Sequence, residues 1–152
     1  MAQPTGTIGY QERLRVPWRW WLPAIAIAAV LASPFVWGPV AGPIGYAAPV
    51  MLIGGTIAGL WWLGRVRVAV VDDELLVDDA RLPVRYVSQA IPLDATGRQE
   101  LLGPGADPLA FVVQRPWLPG AVQVVLDDPA DPTPYWLISS RRPAALAAAL
   151  SR

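Results

Sequence analysis

Residues 20–64 read WWLPAIAIAAVLASPFVWGPVAGPIGYAAPVMLIGGTIAGLWWLG, a run of 45 residues without one charged side chain. The segment GPVAGP at 38–43 divides this run into two apolar halves. Each half is about 17–20 residues long, which at about 1.5 Å per helical residue just crosses the ~30 Å hydrocarbon layer of a bilayer. The sequence therefore predicts a membrane-spanning α-helical hairpin, with helices at about 20–37 and 44–63 and a turn at 38–43.

Tryptophan residues flank both apolar halves, as expected where amphipathic rings settle at the boundary between water and lipid. They are Trp18, Trp20, Trp21, Trp37, Trp61 and Trp62. An alternative is that the first half is a cleaved signal peptide. The second apolar half follows at once and the basic residues lie far from Met1, so an anchored hairpin is favoured.

Arginine residues set the expected orientation of this hairpin, because positive charge is retained on the cytoplasmic side of a membrane. Five arginines flank the two spans and none lies in the turn: Arg13, Arg15, Arg19, Arg65 and Arg67. We expect a multi-pass protein of the cell membrane with both termini in the cytoplasm. The five arginines serve either as a topology anchor or as a site for lipid headgroups, and we expect Glu12 to pair with one of them.

Proline and glycine residues shape the two predicted spans. Pro23 falls in the first turn of the first predicted helix, where its missing N–H costs little, whereas Pro49 lies inside the second and predicts a bend. Gly55 and Gly59 lie four residues apart and would let another helix backbone approach closely. The partner of this helix-packing pair is either the first span of the same chain or the transmembrane helix of another protein.

The inventory of side chains removes several classes of function. The chain has 12 arginines, no lysine, 12 acidic residues, no cysteine and no histidine, and its net charge is zero. Disulfides, thiolate metal sites and Ser-His or Cys-His catalysis are therefore excluded. A neutral chain also gives no footprint for nucleic acid. We predict no catalytic residue, no metal site and no cofactor, and the chain is not expected to be an enzyme.

Beyond residue 64 the periodicity changes from helical to strand-like. Residues 65–152 predict a small mainly-β cytoplasmic domain that follows the cytoplasmic segment 1–17 and the spans at 18–64. Asp72 and Asp73 predict a tight turn between two strands. The predicted strands lie at 66–71, 74–77, 85–93, 109–114, 121–126 and 135–139.

The chain closes on a predicted helix at about 143–151. Pro143 suits the first position of a helix, and the alanines and leucines that follow are strong helix formers. Leu146 and Leu150 lie four residues apart on one face. We expect this face to cap an open end of the sheet or barrel.

Two spans followed by strands in meander order and one C-terminal helix resemble the bacterial pleckstrin-homology-like domains that are tethered to membranes. More specific segments resemble an uncharacterised family of small actinobacterial membrane proteins with two helices. These segments are YQERLRVPW at 10–18, DPLAF at 107–111, RPW at 115–117 and DPTPYWL at 131–137. The resemblance implies a topology and a fold for nearly the whole chain. It implies no activity, because that family has none established.

Two loops and one strand hold the remaining candidate residues. Arg115, Trp117 and Trp136 are a candidate surface for a protein partner, because Trp and Arg often dominate interfaces. The alternative is that Trp117 packs over one end of the sheet while Arg115 pairs with an acidic neighbour. The aspartates at 127–131 lack the spacing and the central glycine of a calcium loop, so a solvated turn is favoured over a cation site.

Three functions remain open from the sequence. The first is a non-catalytic adaptor, in which a membrane hairpin holds a small β domain at the cytoplasmic face for a protein partner. The second is a module that responds to anionic lipid through the flanking arginines. The third is a membrane-associated enzyme using carboxylates, which is disfavoured because no nucleophile with a positioned base can be assembled. The sequence leaves the oligomeric state open.

Overall fold

The computed structural model describes residues 8–38, 42 and 45–151. The chain divides into two compact units. A sheet unit runs up to Leu14 and resumes at Val66, and a helical unit comprises Arg15–Arg65. The helical unit is therefore an insertion in the chain of the sheet unit. Most of the predicted turn at 38–43, and the first seven residues of the segment 1–17, lie outside the described residues.

The helical unit consists of two apolar helices that pack against each other, α1 (Trp18–Trp37) and α2 (Ala47–Leu63). The small residues Ala28 and Ala32, which lie one helical turn apart, are buried on α1. Helix α2 begins three residues later than the sequence predicted. The difference arises because Gly45 and Tyr46 form a turn ahead of the helix, and glycine is a poor helix former.

By length and composition, α1 is the one described helix that is able to cross a membrane. Its most apolar 18-residue window has a mean hydropathy of 1.7, and 11% of that window is buried. Helix α2 has 17 residues and is one of the shorter apolar helices. The structure thus gives one candidate span where the sequence predicted two. Core helices of other proteins and signal sequences share the same length and composition.

The positions of Pro23 and Pro49 within their helices are the reverse of those predicted. Helix α1 begins at Trp18, which places Pro23 inside the helix and not in its first turn. Helix α2 begins at Ala47, which places Pro49 in the first turn, where no intrahelical bond is lost. The predicted bend at Pro49 is therefore wrong, because the expected helix started too early.

The first sheet of the sheet unit is an antiparallel meander of four strands. They are β1 (Ile8–Arg13), β2 (Arg67–Val71), β3 (Glu74–Val77) and β4 (Ala80–Pro83), in that order. Asp72 and Asp73 form the two-residue turn between β2 and β3, with φ values of 47° and 60°. Both central residues of a type I′ hairpin turn need positive φ, which aspartate tolerates. The predicted tight turn between two strands is confirmed, whereas β1 and β4 were not predicted.

The second sheet contains β5 (Val87–Leu93), β6 (Phe111–Val113), β7 (Ala121–Leu126) and β8 (Tyr135–Ser139). Its strand order is β5-β7-β8-β6, and β6 runs parallel to β8 while the other pairs are antiparallel. A short 3₁₀ turn, Val84–Tyr86, precedes β5. In the described part of the chain the strands form two separate sheets, so a single closed barrel is not present.

Two further helices complete the sheet unit. Helix α3 (Ala95–Leu102), which the sequence did not predict, is capped by the Asp94 carboxylate, whose Oδ1 accepts a hydrogen bond of 2.8 Å from the Gly97 N–H. Helix α4 (Pro143–Leu150) confirms the predicted terminal helix and has proline at its start. Leu146 and Leu150 are buried in the core as expected.

A continuous apolar core lies between the two sheets and α4. It includes Val68 and Leu75 from the first sheet, Val122 and Ile138 from the second, and Leu146 from α4. A smaller cluster covers the other face of the second sheet, where Ala121, Tyr135 and Leu137 are packed by residues of α3 and its neighbours. Strand β8 is therefore buried on both faces.

Candidate functional site

The most unusual polar group of the sheet unit is a buried carboxylate, Glu12. It lies on the inner face of β1 opposite Val68 and is 7% exposed. Its Oε2 accepts hydrogen bonds from the Tyr10 hydroxyl at 2.6 Å and the Ser140 hydroxyl at 2.7 Å. Its Oε1 accepts one from the backbone N–H of Arg141 at 2.8 Å. A buried charge is tolerated only when its oxygens are bonded in this way.

The Glu12 cluster, as we call Tyr10, Glu12, Ser140 and the backbone N–H groups of Arg141 and Arg142, lies beside the start of α4. Ser140 Oγ accepts a hydrogen bond of 3.0 Å from the Arg142 N–H, just ahead of Pro143. The partial positive charge at a helix N-terminus favours a carboxylate there. The Arg142 guanidinium also lies 5.4 Å from the centroid of the Tyr10 ring.

The environment of Tyr10 also favours its neutral form. Burial, followed by the hydrogen bond to Glu12, raises the pKa of the Tyr10 phenol above its ordinary value. The hydroxyl therefore remains a proton donor to the carboxylate throughout the physiological range. Ser140 is 0% exposed, so the cluster is closed to a substrate. Its evident effect is to join β1 to a segment 128 residues away in the chain.

Sequence reasoning missed this cluster. The sequence placed Glu12 in a surface group of charges. The expected pairing of Glu12 with an arginine side chain stays a prediction, since the hydrogen bond from Arg141 is donated by its backbone N–H. One signal was available. Tyr10, Glu12 and Leu14 alternate with Gln11 and Arg13, which is the period of a strand with one face buried.

The five predicted anchor arginines are all exposed, but they belong to different units. Arg13 and Arg67 lie directly opposite each other in the β1–β2 ladder. Arg15, Arg19 and Arg65 belong to the helical unit, where the Arg65 guanidinium lies 5.0 Å from the centroid of the Trp61 ring. The structure therefore brings Arg13 and Arg67 together as a cross-strand pair.

Gly55 and Gly59 do not mediate the contact between α1 and α2. A Cβ added at either position would meet no atom within 4 Å. The interpretation that these glycines pack on the first helix of the same chain is therefore wrong. The pair leaves an open strip on α2.

The structure separates the three residues of the candidate partner surface. Trp136 is 8% exposed and packs against Phe111, with ring centroids 4.4 Å apart. Its predicted place on a surface is wrong, because β8 is covered on both faces. Trp117 is half-buried and packs against the main core. The Arg115 N–H donates to Ser139 Oγ at 2.9 Å, and its guanidinium donates to the carbonyl of Gln114.

The acidic loop at 127–131 forms turns. Asp128 Oδ1 accepts a hydrogen bond from the Ala130 N–H, and Asp131 Oδ1 accepts one from the Thr133 N–H, each at 2.9 Å. Hydrogen bonding to Thr133 lowers the pKa of Asp131. Among the residues that the structure describes, no group of three His, Cys, Asp or Glu side chains is placed to hold a metal ion.

Comparison with known proteins places the chain in a family without adding an activity. No curated protein and no solved structure matches it. The sequence profile of one family, described as a protein of unknown function (DUF3093), matches residues 9–150. That match begins inside β1 and ends at the last residue of α4, so it takes in both ends of the Glu12 cluster. The chain therefore belongs to the DUF3093 family.

Proposed function

We propose that this chain is a non-catalytic membrane adaptor, in which α1 and α2 anchor the sheet unit at the cytoplasmic face of the cell membrane. The observation that carries the proposal is the β1–β2 ladder. Arg13 lies opposite Arg67 in that ladder, and the Leu14 N–H donates a hydrogen bond of 3.0 Å to the Val66 carbonyl. The chain thus leaves the sheet and re-enters it at adjacent points.

This pairing restricts the ways in which the helical unit is able to meet a membrane. A single crossing by α1 would place Leu14 and Val66 on opposite sides of a hydrocarbon layer about 30 Å thick, which their hydrogen bond forbids. Either both helices cross or neither does. The length and apolar character of α1 favour crossing, and α2 must then return.

The length of α2 is compatible with that return. Its 17 residues extend about 26 Å, at the lower end of what spans a bilayer, and a small mismatch is met by thinning of the bilayer or by flanking residues that reach its surface. The arginines on both flanks favour a cytoplasmic location for the sheet unit. The two packed sheets and the terminal helix support the resemblance to pleckstrin-homology-like domains, although the parallel β6–β8 pair departs from a meander.

The Glu12 cluster supports the non-catalytic part of the proposal. In this cluster Ser140 and Glu12 are both buried with their polar atoms engaged in hydrogen bonds. A general base must reach the proton that it abstracts from a substrate. The proposed partners are membrane lipids and a protein of the same membrane.

The crossing of both helices is tested by labelling with a maleimide that does not cross membranes. The chain has no cysteine, so Tyr46→Cys between the helices, Gln11→Cys in β1 and Gln89→Cys in β5 each give a unique site. In sealed right-side-out vesicles we expect Tyr46→Cys to be labelled at once. We expect the other two to be labelled only after permeabilisation.

Two outcomes would contradict this topology. Labelling of Gln11→Cys and Gln89→Cys on opposite sides would mean a single crossing and a broken β1–β2 ladder. Release of the unlabelled protein from the vesicles by alkaline carbonate would mean that neither helix crosses.

The adaptor role is tested through the open strip on α2. Because a Cβ at Gly55 or Gly59 meets no atom within 4 Å, Gly55→Leu plus Gly59→Leu should fold normally. A stoichiometric protein partner should co-purify with the unaltered chain in mild detergent. We expect its amount to fall at least tenfold in this double variant, because small residues allow close approach of helices. Quantitative mass spectrometry measures the loss.

The matched control is Val50→Leu plus Met51→Leu, which alters two exposed positions of the same helix. Retention of the partner by both double variants would place the contact elsewhere. Absence of any stoichiometric protein in the purified unaltered chain would contradict the adaptor role itself.

A further inference from the structure

We propose that the outer face of the first sheet docks on anionic phospholipid headgroups. This basic face, as we call it, carries Arg13 on β1, Arg67 on β2 and Arg81 on β4. The inference rests on the membrane anchoring proposed above and identifies the surface against which the sheet unit would lie. Arg81 is the new element, since it lies outside both segments that flank the apolar run.

The strand register places the three arginines on one face. Residues that pair directly across antiparallel strands point to the same side of a sheet, and neighbours along a strand point to opposite sides. Arg13 pairs with Arg67 in one row. The adjacent row on the same face runs Gln11, Ala69, Leu76 and Arg81. The intervening row, with Glu12 and Val68, faces the core.

These guanidinium groups are available to a ligand. All three side chains are exposed, and the structure gives none of them a hydrogen bond or ion pair with any residue that it describes. Like charges directly opposite each other destabilise a pair of strands, as Arg13 and Arg67 do here. A phosphate bridging the two relieves that repulsion, because a guanidinium presents paired donors to phosphate oxygens.

Three acidic side chains lie on or beside this face. Asp78 and Asp79 form the turn between β3 and β4, and the Asp78 N–H donates to the Arg67 carbonyl at 2.9 Å. Glu74 lies on the same face as the arginines, where it pairs with Val71 and Pro83. The described residues show no ion pair between these three carboxylates and Arg13, Arg67 or Arg81, so the guanidinium groups stay available.

Chain length indicates a membrane surface as the source of phosphate. Arg13 precedes Trp18 by five residues and Arg67 follows Leu63 by four, which limits their reach from the helix ends to about 18 Å and about 14 Å. Both therefore stay within reach of the headgroup layer when α1 and α2 cross. An arginine at an anionic surface strengthens attachment by about fivefold. The neutral chain gives nucleic acid no comparable attraction.

The test uses the full chain in nanodiscs and one fluorescent reporter. Gln11→Cys, which lies on the basic face in the edge strand β1, carries a dye whose emission reports polarity, and a quencher is placed on the lipid headgroups. We expect quenching in discs that contain anionic phosphatidylglycerol and little in discs of neutral phosphatidylcholine. Arg81→Gln should weaken this lipid dependence about fivefold. The matched control Arg85→Gln also removes an exposed arginine of the sheet unit, but outside the basic face, and should leave it unchanged.

Three results would overturn the proposal. Equal quenching in neutral and anionic discs would mean that the face does not recognise headgroup charge. Equal effects of Arg81→Gln and Arg85→Gln on the lipid dependence would mean that only the net charge of the sheet unit matters. A spectral change caused by inorganic phosphate in neutral discs would assign the face to a soluble anion. Arg81 does not flank either helix, so Arg81→Gln leaves the maleimide topology test unaffected and the two proposals fail separately.

Discussion

Glu12→Ala is expected to lower the free energy of unfolding of the sheet unit by about 3–5 kcal/mol. The change removes the acceptor of three hydrogen bonds and leaves two hydroxyls and one backbone N–H without their buried partner. At about 4–8 °C per kcal/mol for a domain of this size, the midpoint of thermal unfolding should fall by about 12 °C or more. Near-ultraviolet circular dichroism in mild detergent, to which the buried Trp136 contributes, measures it.

Two companion variants separate the Glu12 cluster from a general effect on β1. Gln11→Ala alters the exposed neighbour and should change stability by less than about 0.5 kcal/mol. Glu12→Gln retains one acceptor oxygen but turns an N–H₂ group toward donors, so it should also be destabilising. If Glu12→Ala were as stable as Gln11→Ala, the cluster would not hold β1 in place.

Leu146→Ala should destabilise the sheet unit by about 2–5 kcal/mol. Leu146 is 0% exposed and lies in the core between the two sheets and α4. Removal of its branched end leaves a cavity in a region where both sheets fix the walls, which prevents collapse. The same thermal measurement applies, and α4 should become the first segment to exchange its amide hydrogens.

The control for this cavity is Leu109→Ala, which deletes the same atoms from a side chain that is 61% exposed. Its effect should stay below about 1 kcal/mol. Comparable losses in the two variants would mean that α4 does not contribute to the core as the packing indicates.

Local signals in the sequence predicted some elements well. The two aspartates at 72 and 73 correctly predicted the turn between β2 and β3. Pro143 and the alanines that follow it correctly predicted α4. Strand β4 was missed although Asp78 and Asp79 repeat the same turn pattern, because four residues ending in proline give little periodicity. Strand β1 was missed because its partner, β2, follows only after the whole helical unit.

The candidate site was harder to predict because it depends on distant segments. Glu12 and Ser140 are 128 residues apart, and no local pattern connects them. Trp136 illustrates a related failure. Alternation along β8 turns Tyr135 and Trp136 to opposite faces of the sheet, but a second apolar cluster beneath α3 buries Tyr135 as well. Alternation identifies which residues share a face, whereas the packing of other elements decides whether that face is exposed.

The insertion of the helical unit between β1 and β2 imposes an order on assembly at the ribosome. β1 is synthesised before both helices, yet its ladder partner starts at Arg67. β1 cannot pair until β2, on the far side of the helical unit, has been synthesised. The Glu12 side chain likewise stays exposed to solvent until Ser140 has been synthesised. The helices therefore form before the strand that precedes them is paired. A nascent chain that stalls before Arg67 leaves β1 without its partner strand, the kind of exposed edge that chaperones and proteases recognise.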